Sequence, residues 1–122
     1  MFCNFEGILY CINEYYQFVK YSSKYIVYDI YGRKDIECTF KDGLLDGELI
    51  KYYPDTDTDK IWAKFNYMNG KREGLQYRYY KNGAILTESV YCSGIRHGYY
   101  KMFSEYGHCI ESKLYQFNTY YQ

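Results

Sequence analysis

Several constellations in this 122-residue chain carry residue types that can do chemistry. Asp55-Thr-Asp-Thr-Asp59 sets carboxylates at alternate positions, as the opening of a calcium loop does. Such a loop needs glycine at its sixth place and glutamate at its twelfth; here those places hold Lys60 and Asn66, so a solvated turn is expected. Cys92, His97, His108 and Cys109 are zinc-ligand types, yet no C-x-x-C pair brings them together. Ser93 and Ser104 stand near His97 and His108, but neither serine sits in the G-x-S-x-G turn that exposes a nucleophile. Gly70-Lys71-Arg72 lacks the downstream G-K-[ST] of a phosphate loop. The expectation is therefore no catalytic residue, no metal ion and no cofactor.

Charge is more informative. Residues 41–59 hold six acids and two bases, and residues 60–101 hold eight bases and two acids. The basic stretch contains Lys71, Arg72, Arg78, Lys81, Arg96 and Lys101, interleaved with Tyr77, Tyr79, Tyr80, Tyr99 and Tyr100. Such a pattern can hold lipid headgroups or stack nucleic-acid bases. A formal net charge of zero argues against a general attraction for nucleic acid, which is disfavoured as a partner.

These residues are positioned by a repeat. Gly43-Leu-Leu-Asp-Gly47, Gly70-Lys-Arg-Glu-Gly74 and Gly94-Ile-Arg-His-Gly98 superimpose, each followed five residues later by an aromatic (Tyr52, Tyr79, Phe103). Three residues before each first glycine stands Phe40, Tyr67 or Tyr91, and Tyr115 continues that row. Gly32, Gly83 and Gly107 form a further row, which the Gly70 unit replaces with a longer Pro54–Lys60 turn. Between glycines, apolar residues alternate: Ile61, Ala63, Phe65 and Tyr67 on one side with Lys64 opposite; Ile85, Thr87, Ser89 and Tyr91 against Glu88; Leu75, Tyr77 and Tyr79 against Gln76 and Arg78. Period two is a strand signature. Each unit then reads as strand, glycine-bounded turn of four to five residues, strand. Before the good units, Gly7 and Ser23 mark degraded ones; after them, Asn118 takes the place of the next first glycine.

Twenty tyrosines, two alanines and one proline favour strands over helices. The predicted fold is all-β: tandem antiparallel hairpins in an elongated, twisted, largely single-layer sheet. Phe40, Tyr67, Tyr91 and Tyr115 should form one aromatic ladder, and Tyr28, Tyr52, Tyr79 and Phe103 a second.

The octets Phe40–Gly47, Tyr67–Gly74 and Tyr91–Gly98, with Tyr79-Tyr-Lys-Asn-Gly83, resemble the MORN repeat in the variant form common in bacteria and large DNA viruses. The resemblance covers roughly residues 28–118; it departs at the missing glycine before Ile61, the longer Asp-rich turn and Ser23. It implies hairpin repeats that act as protein-interaction scaffolds, with lipid association proposed for some relatives and catalysis left to appended domains.

One repeat domain over 1–122 follows, with 1–27 as a degenerate cap, 28–118 as repeats and 119–122 as the end. Five cysteines without paired spacing, no basic n-region, no N-x-Ser/Thr acceptor and no spanning apolar run lead to an intracellular expectation: cytoplasmic or within a viral assembly, not secreted, without a transmembrane segment. The expected function is a non-enzymatic interaction or assembly module. Its surface would comprise Tyr67, Tyr77, Tyr79, Tyr91, Phe103, Leu114, Tyr115 and Phe117, binding a protein partner or a second copy by the aromatic face or an edge strand. The strand around Leu114–Phe117 is the expected open edge. The alternative is a peripheral phosphoinositide-binding module using 71–101.

Overall fold

The computed structural model describes residues 1–54, 58–117 and 119–121, the side chains of residues 120 and 121 excepted. Most of the alternate-carboxylate run (Asp55, Thr56, Asp57) and Asn118 thus lie outside the described residues.

Among the described residues regular structure is strand throughout. β1 (Phe2–Phe5), β2 (Ile8–Ile12) and β3 (Phe18–Lys20) form a small sheet. A second, open sheet of 11 strands runs in chain order: β4 (Ser23–Tyr28), β5 (Lys34–Lys41), β6 (Leu44–Leu45), β7 (Gly47–Tyr52), β8 (Ile61–Met68), β9 (Lys71–Arg72), β10 (Gly74–Tyr79), β11 (Ile85–Cys92), β12 (Ile95–Phe103), β13 (Cys109–Gln116) and β14 (Thr119–Tyr121). Every pairing is antiparallel, with β6 on β5 and β9 on β8. Among the described residues only Cys38, Gly43, Tyr52, Ala63 and Gln76 are buried, and no large side chain is wholly enclosed. The hairpins build one layer with two faces and no interior.

The glycine turns differ from the expected four to five residues. Asp42-Gly43, Asn69-Gly70 and Ser93-Gly94 are two-residue loops with positive φ at both positions, closed by Lys41↔Leu44, Met68↔Lys71 and Cys92↔Ile95. Backbone twist in such loops matches that of the flanking strands, so they are favoured in hairpins. Glu6-Gly7 repeats the geometry in the small sheet. The second glycine of each pentapeptide is no turn residue. It sits where the register slips, so that the backbone N–H groups of Asp46 and Glu73 donate back to the Thr39 and Asn66 carbonyls at 3.0 and 2.9 Å. Successive loops are also stitched together: Gly70 N–H donates to Leu45 O and Gly94 N–H to Arg72 O, both at 2.8 Å.

At the opposite end, bulges interrupt the alternation. Tyr52 pairs with Ile61, and Tyr79 with Ile85, after a register shift in each case. Ile61 and Ile85 therefore leave the face of Ala63 and Thr87 on which strict alternation had placed them.

The small sheet docks on the large one through Gly43. Leu9 N–H donates to Gly43 O at 2.8 Å, and Gly43 N–H to Tyr21 O at 2.7 Å. Phe2 stacks edge-on against Tyr21 and Tyr25 at 5.0 and 5.2 Å. At the other end, β14 pairs with β13 through Leu114↔Tyr121, Tyr115↔Tyr120 and Gln116↔Thr119. The expected open edge at Leu114–Phe117 is thus covered over residues 114–116, because the chain makes one more hairpin.

Candidate interaction surface

Residues paired across antiparallel strands share a face, which sorts the side chains without ambiguity. Leu49, Phe65, Gln76, Ser89 and Tyr100 lie on one face, as do Arg78 with Thr87 and Tyr67 with Arg72. Glu37, Ile50, Lys64, Tyr77, Glu88 and Lys101 lie on the other. Tyr67, Tyr91 and Tyr115 belong to the first face; Tyr77, Tyr79, Phe103 and Leu114 belong to the second. The surface anticipated from the sequence is therefore two surfaces, back to back.

On the first face the row Phe40, Tyr67, Tyr91, Tyr115 is present, but its rings do not meet one another among the described residues. Arginine stands between them. Tyr67 pairs with Arg72 and Tyr91 with Arg96 across the strands. The Arg72 guanidinium lies 4.1 Å from the Phe65 centroid and 5.5 Å from that of Tyr91. Arg96 donates to the Tyr91 hydroxyl at 3.3 Å and the Tyr115 hydroxyl at 3.2 Å, and faces the Tyr100 and Tyr115 rings, both at 5.3 Å. Arg78 covers Trp62 at 3.9 Å, reachable because the bulge at Ile61 turns Trp62 to this face. Cation–π contact of this kind contributes about 0.5–1 kcal/mol at exposed sites and more when desolvated. Burial pushes the Tyr91 phenol up, but its Arg96 hydrogen bond and the neighbouring positive charges outweigh that and hold it below its ordinary value. The Tyr91 hydroxyl in turn holds the Arg96 guanidinium above its ordinary value.

Arg72 and Arg96, expected to contact anions, thus stand among Tyr67, Tyr91 and Tyr115, expected to contact protein, on one face. Arg72, Arg78 and Arg96, with Trp62, Phe65, Tyr91 and Tyr100, line a shallow groove of about 300 Å³. The lysines separate from it: Lys101 packs over Tyr99 at 5.0 Å on the second face, Lys81 over Tyr53 at 5.6 Å, and Lys71 beside Gly94.

The second row, Tyr28, Tyr52, Tyr79 and Phe103, shows no ring pair of its own among the described residues; Tyr79 meets Tyr77 at 6.2 Å instead. Burial, then the nearby Glu88 carboxylate, holds Tyr77 and Tyr99 above the usual phenol value. What ties the units together here is the neighbouring tyrosine. Tyr53 donates its hydroxyl to Tyr79 O at 2.6 Å, and Tyr80 to Phe103 O at 2.8 Å. The doublets Tyr52-Tyr53 and Tyr79-Tyr80 were the available signal.

The residues with chemical potential have structural employment. His97 Nδ1 accepts the Phe117 N–H at 3.2 Å, and the two rings stack at 4.6 Å. Glu73 does the equivalent for Ser93 N–H at 2.6 Å, and Ser22 for Asp42 N–H at 2.7 Å. Each therefore caps the positive-φ residue of the next loop. Ser104 Oγ accepts Tyr106 and His108 N–H within its own turn. No group of three or more metal-ligand side chains gathers among the described residues, and they include no helix long and apolar enough to cross a membrane.

Compared with known proteins, the chain matches no protein-family model, no curated protein and no solved structure.

Proposed function

We propose that this chain is a non-enzymatic protein-interaction module built from MORN-type hairpin repeats. The observation that carries the reading is a sheet of 11 strands with almost nothing buried: its aromatic side chains face outward on both sides instead of filling a core. Tyrosine offers large contact area at small entropic cost and is enriched at interfaces. Leu75 and Leu114 stay exposed on the second face, and among the described residues β4 and the 109–112 part of β13 each leave one strand edge without a neighbouring strand. Five free thiols fit a reducing, intracellular setting. Cross-linking of the full chain in extract from its native source tests this: a specific protein, or a second copy, is expected at stoichiometric yield. A strictly monomeric chain that cross-links to nothing sinks the proposal.

Peripheral lipid binding is the second reading. The feature in its favour is a hollow of about 390 Å³ bordered by Lys60, Lys64 and Lys81. Flotation with phosphoinositide vesicles at low salt decides it, and absence of binding there removes it.

A further inference from the structure

The first-face groove poses a question that the fold does not answer. Among the described residues no carboxylate pairs with Arg72, Arg78 or Arg96, although five other ion pairs form on the same molecule. Arg78 Nε is buried and has no hydrogen-bond acceptor. A buried donor left unsatisfied is unfavourable, and an acceptor from outside relieves it. Arg96 commits two of its donors to tyrosine hydroxyls and keeps the rest of the guanidinium fork. Each of the three already has its guanidinium over an aromatic ring, Arg72 over Phe65 at 4.1 Å, Arg78 over Trp62 at 3.9 Å and Arg96 over Tyr100 at 5.3 Å, so it is held in place before any ligand arrives.

We propose that this groove binds an acidic segment of a partner protein, whose Asp or Glu carboxylates dock on the edges of Arg72, Arg78 and Arg96. The inference rests on the reading of the sheet as an interaction module and supplies the chemistry of its partner. Arginine forks match carboxylates in two parallel hydrogen bonds, and Arg78 Nε–H gains the acceptor it lacks. Nucleic acid fits less well, because the guanidinium groups already cover the Phe65 and Trp62 rings on which bases would stack. A membrane fits less well too: Trp62, Phe65, Tyr91 and Tyr100 are recessed, and none of them projects to insert.

Fluorescence anisotropy with a labelled peptide of alternating Glu and Ser tests the proposal, with the same peptide carrying Gln for Glu as control. The Glu peptide should bind, weaken with salt, and exceed the Gln peptide at least tenfold. Arg78→Gln should weaken it at least tenfold, and Arg78→Lys by less, while Lys101→Gln on the opposite face changes it less than twofold. Thr87→Glu, which sets a carboxylate beside Arg78, should block the groove and keeps the test open should Arg78→Gln fail to fold. Equal binding of the Gln peptide overturns the proposal, as does equal loss in Lys101→Gln. Inorganic phosphate that competes at micromolar concentration would reassign the groove to phosphate, and phosphatidylserine vesicles that bind when the peptide does not would reassign it to lipid; either result overturns the peptide assignment. A cross-linked partner indifferent to Thr87→Glu sinks the groove while leaving the interaction module standing; loss of every partner, with peptide binding intact, does the reverse.

Discussion

Glu37 concentrates more electrostatics than any other acid on the second face. Lys34 Nζ donates to its carboxylate at 2.8 Å, the Tyr52 hydroxyl at 2.7 Å, and Lys24 Nζ lies at 3.1 Å. These partners, Lys34 first, bring its pKa from 4.5 down to about 2. A carboxylate depressed on folding binds fewer protons folded than unfolded. Its stabilisation is therefore full above pH 4.5 and is lost as pH falls through about 2. At ~1.36 kcal/mol per pH unit the drop is equivalent to roughly 3 kcal/mol. The Lys24 side chain is 63% exposed, so water screens part of that, and about 1–2 kcal/mol is the expected share. Glu37→Gln keeps an acceptor for Tyr52 and removes the charge. Urea unfolding of both proteins across acidic to neutral pH should show a gap of about 1–2 kcal/mol near neutrality that closes between pH 4.5 and about 2. A gap that stays constant with pH would refute the linkage, and no gap at neutrality would refute the network itself.

The remaining predictions concern the devices that repeat. Gly43→Ala should loosen the small sheet, since a Cβ there meets Leu9 O at 2.7 Å and the Ile8 side chain, whereas Gly83→Ala meets nothing and bears only the positive-φ strain of about 1–2 kcal/mol; amide exchange at Leu9 reads the difference. His97→Ala removes the cap and stacking partner of Phe117 and should cost about 1 kcal/mol, with faster exchange confined to the last hairpin. Arg96→Gln should raise the Tyr91 phenol pKa toward and above its ordinary value, seen by ultraviolet titration against a Tyr91→Phe blank. Tyr52, held above its ordinary value by burial and then by Glu37, contributes stability that is full below pH 10 and fades above it, so Tyr52→Phe should flatten the alkaline side of the stability profile.

Much of this was legible from spacing alone. Glycine pairs and period-two alternation gave the hairpins, their order and the single layer, because one glycine in each unit meets a backbone requirement that few other residues satisfy. The turn length was not legible. Gly47, Gly74 and Gly98 look like turn residues in sequence, yet they serve a bulge, and both roles ask for positive φ. The bulges also defeated the alternation at Ile61 and Ile85, since one extra residue reverses every side chain beyond it. The aromatic row was found, but its partner was missed: Arg72 and Arg96 read as parts of a basic stretch for anion contact until the register set them between Tyr67, Tyr91 and Tyr115. The loop caps Ser22, Glu73 and His97 differ chemically, so only their shared geometry reveals a shared task.

The claim on which the rest depends is that the outward aromatic faces exist to be covered by protein. Photo-crosslinking amino acids at Tyr100 on the first face and Leu114 on the second, used in native extract, test it directly. One face is expected to capture a single protein species, or a second copy, in near-stoichiometric amount while the other face captures little. Faint, unselective capture from both faces, by a chain that sediments as a monomer, would contradict it.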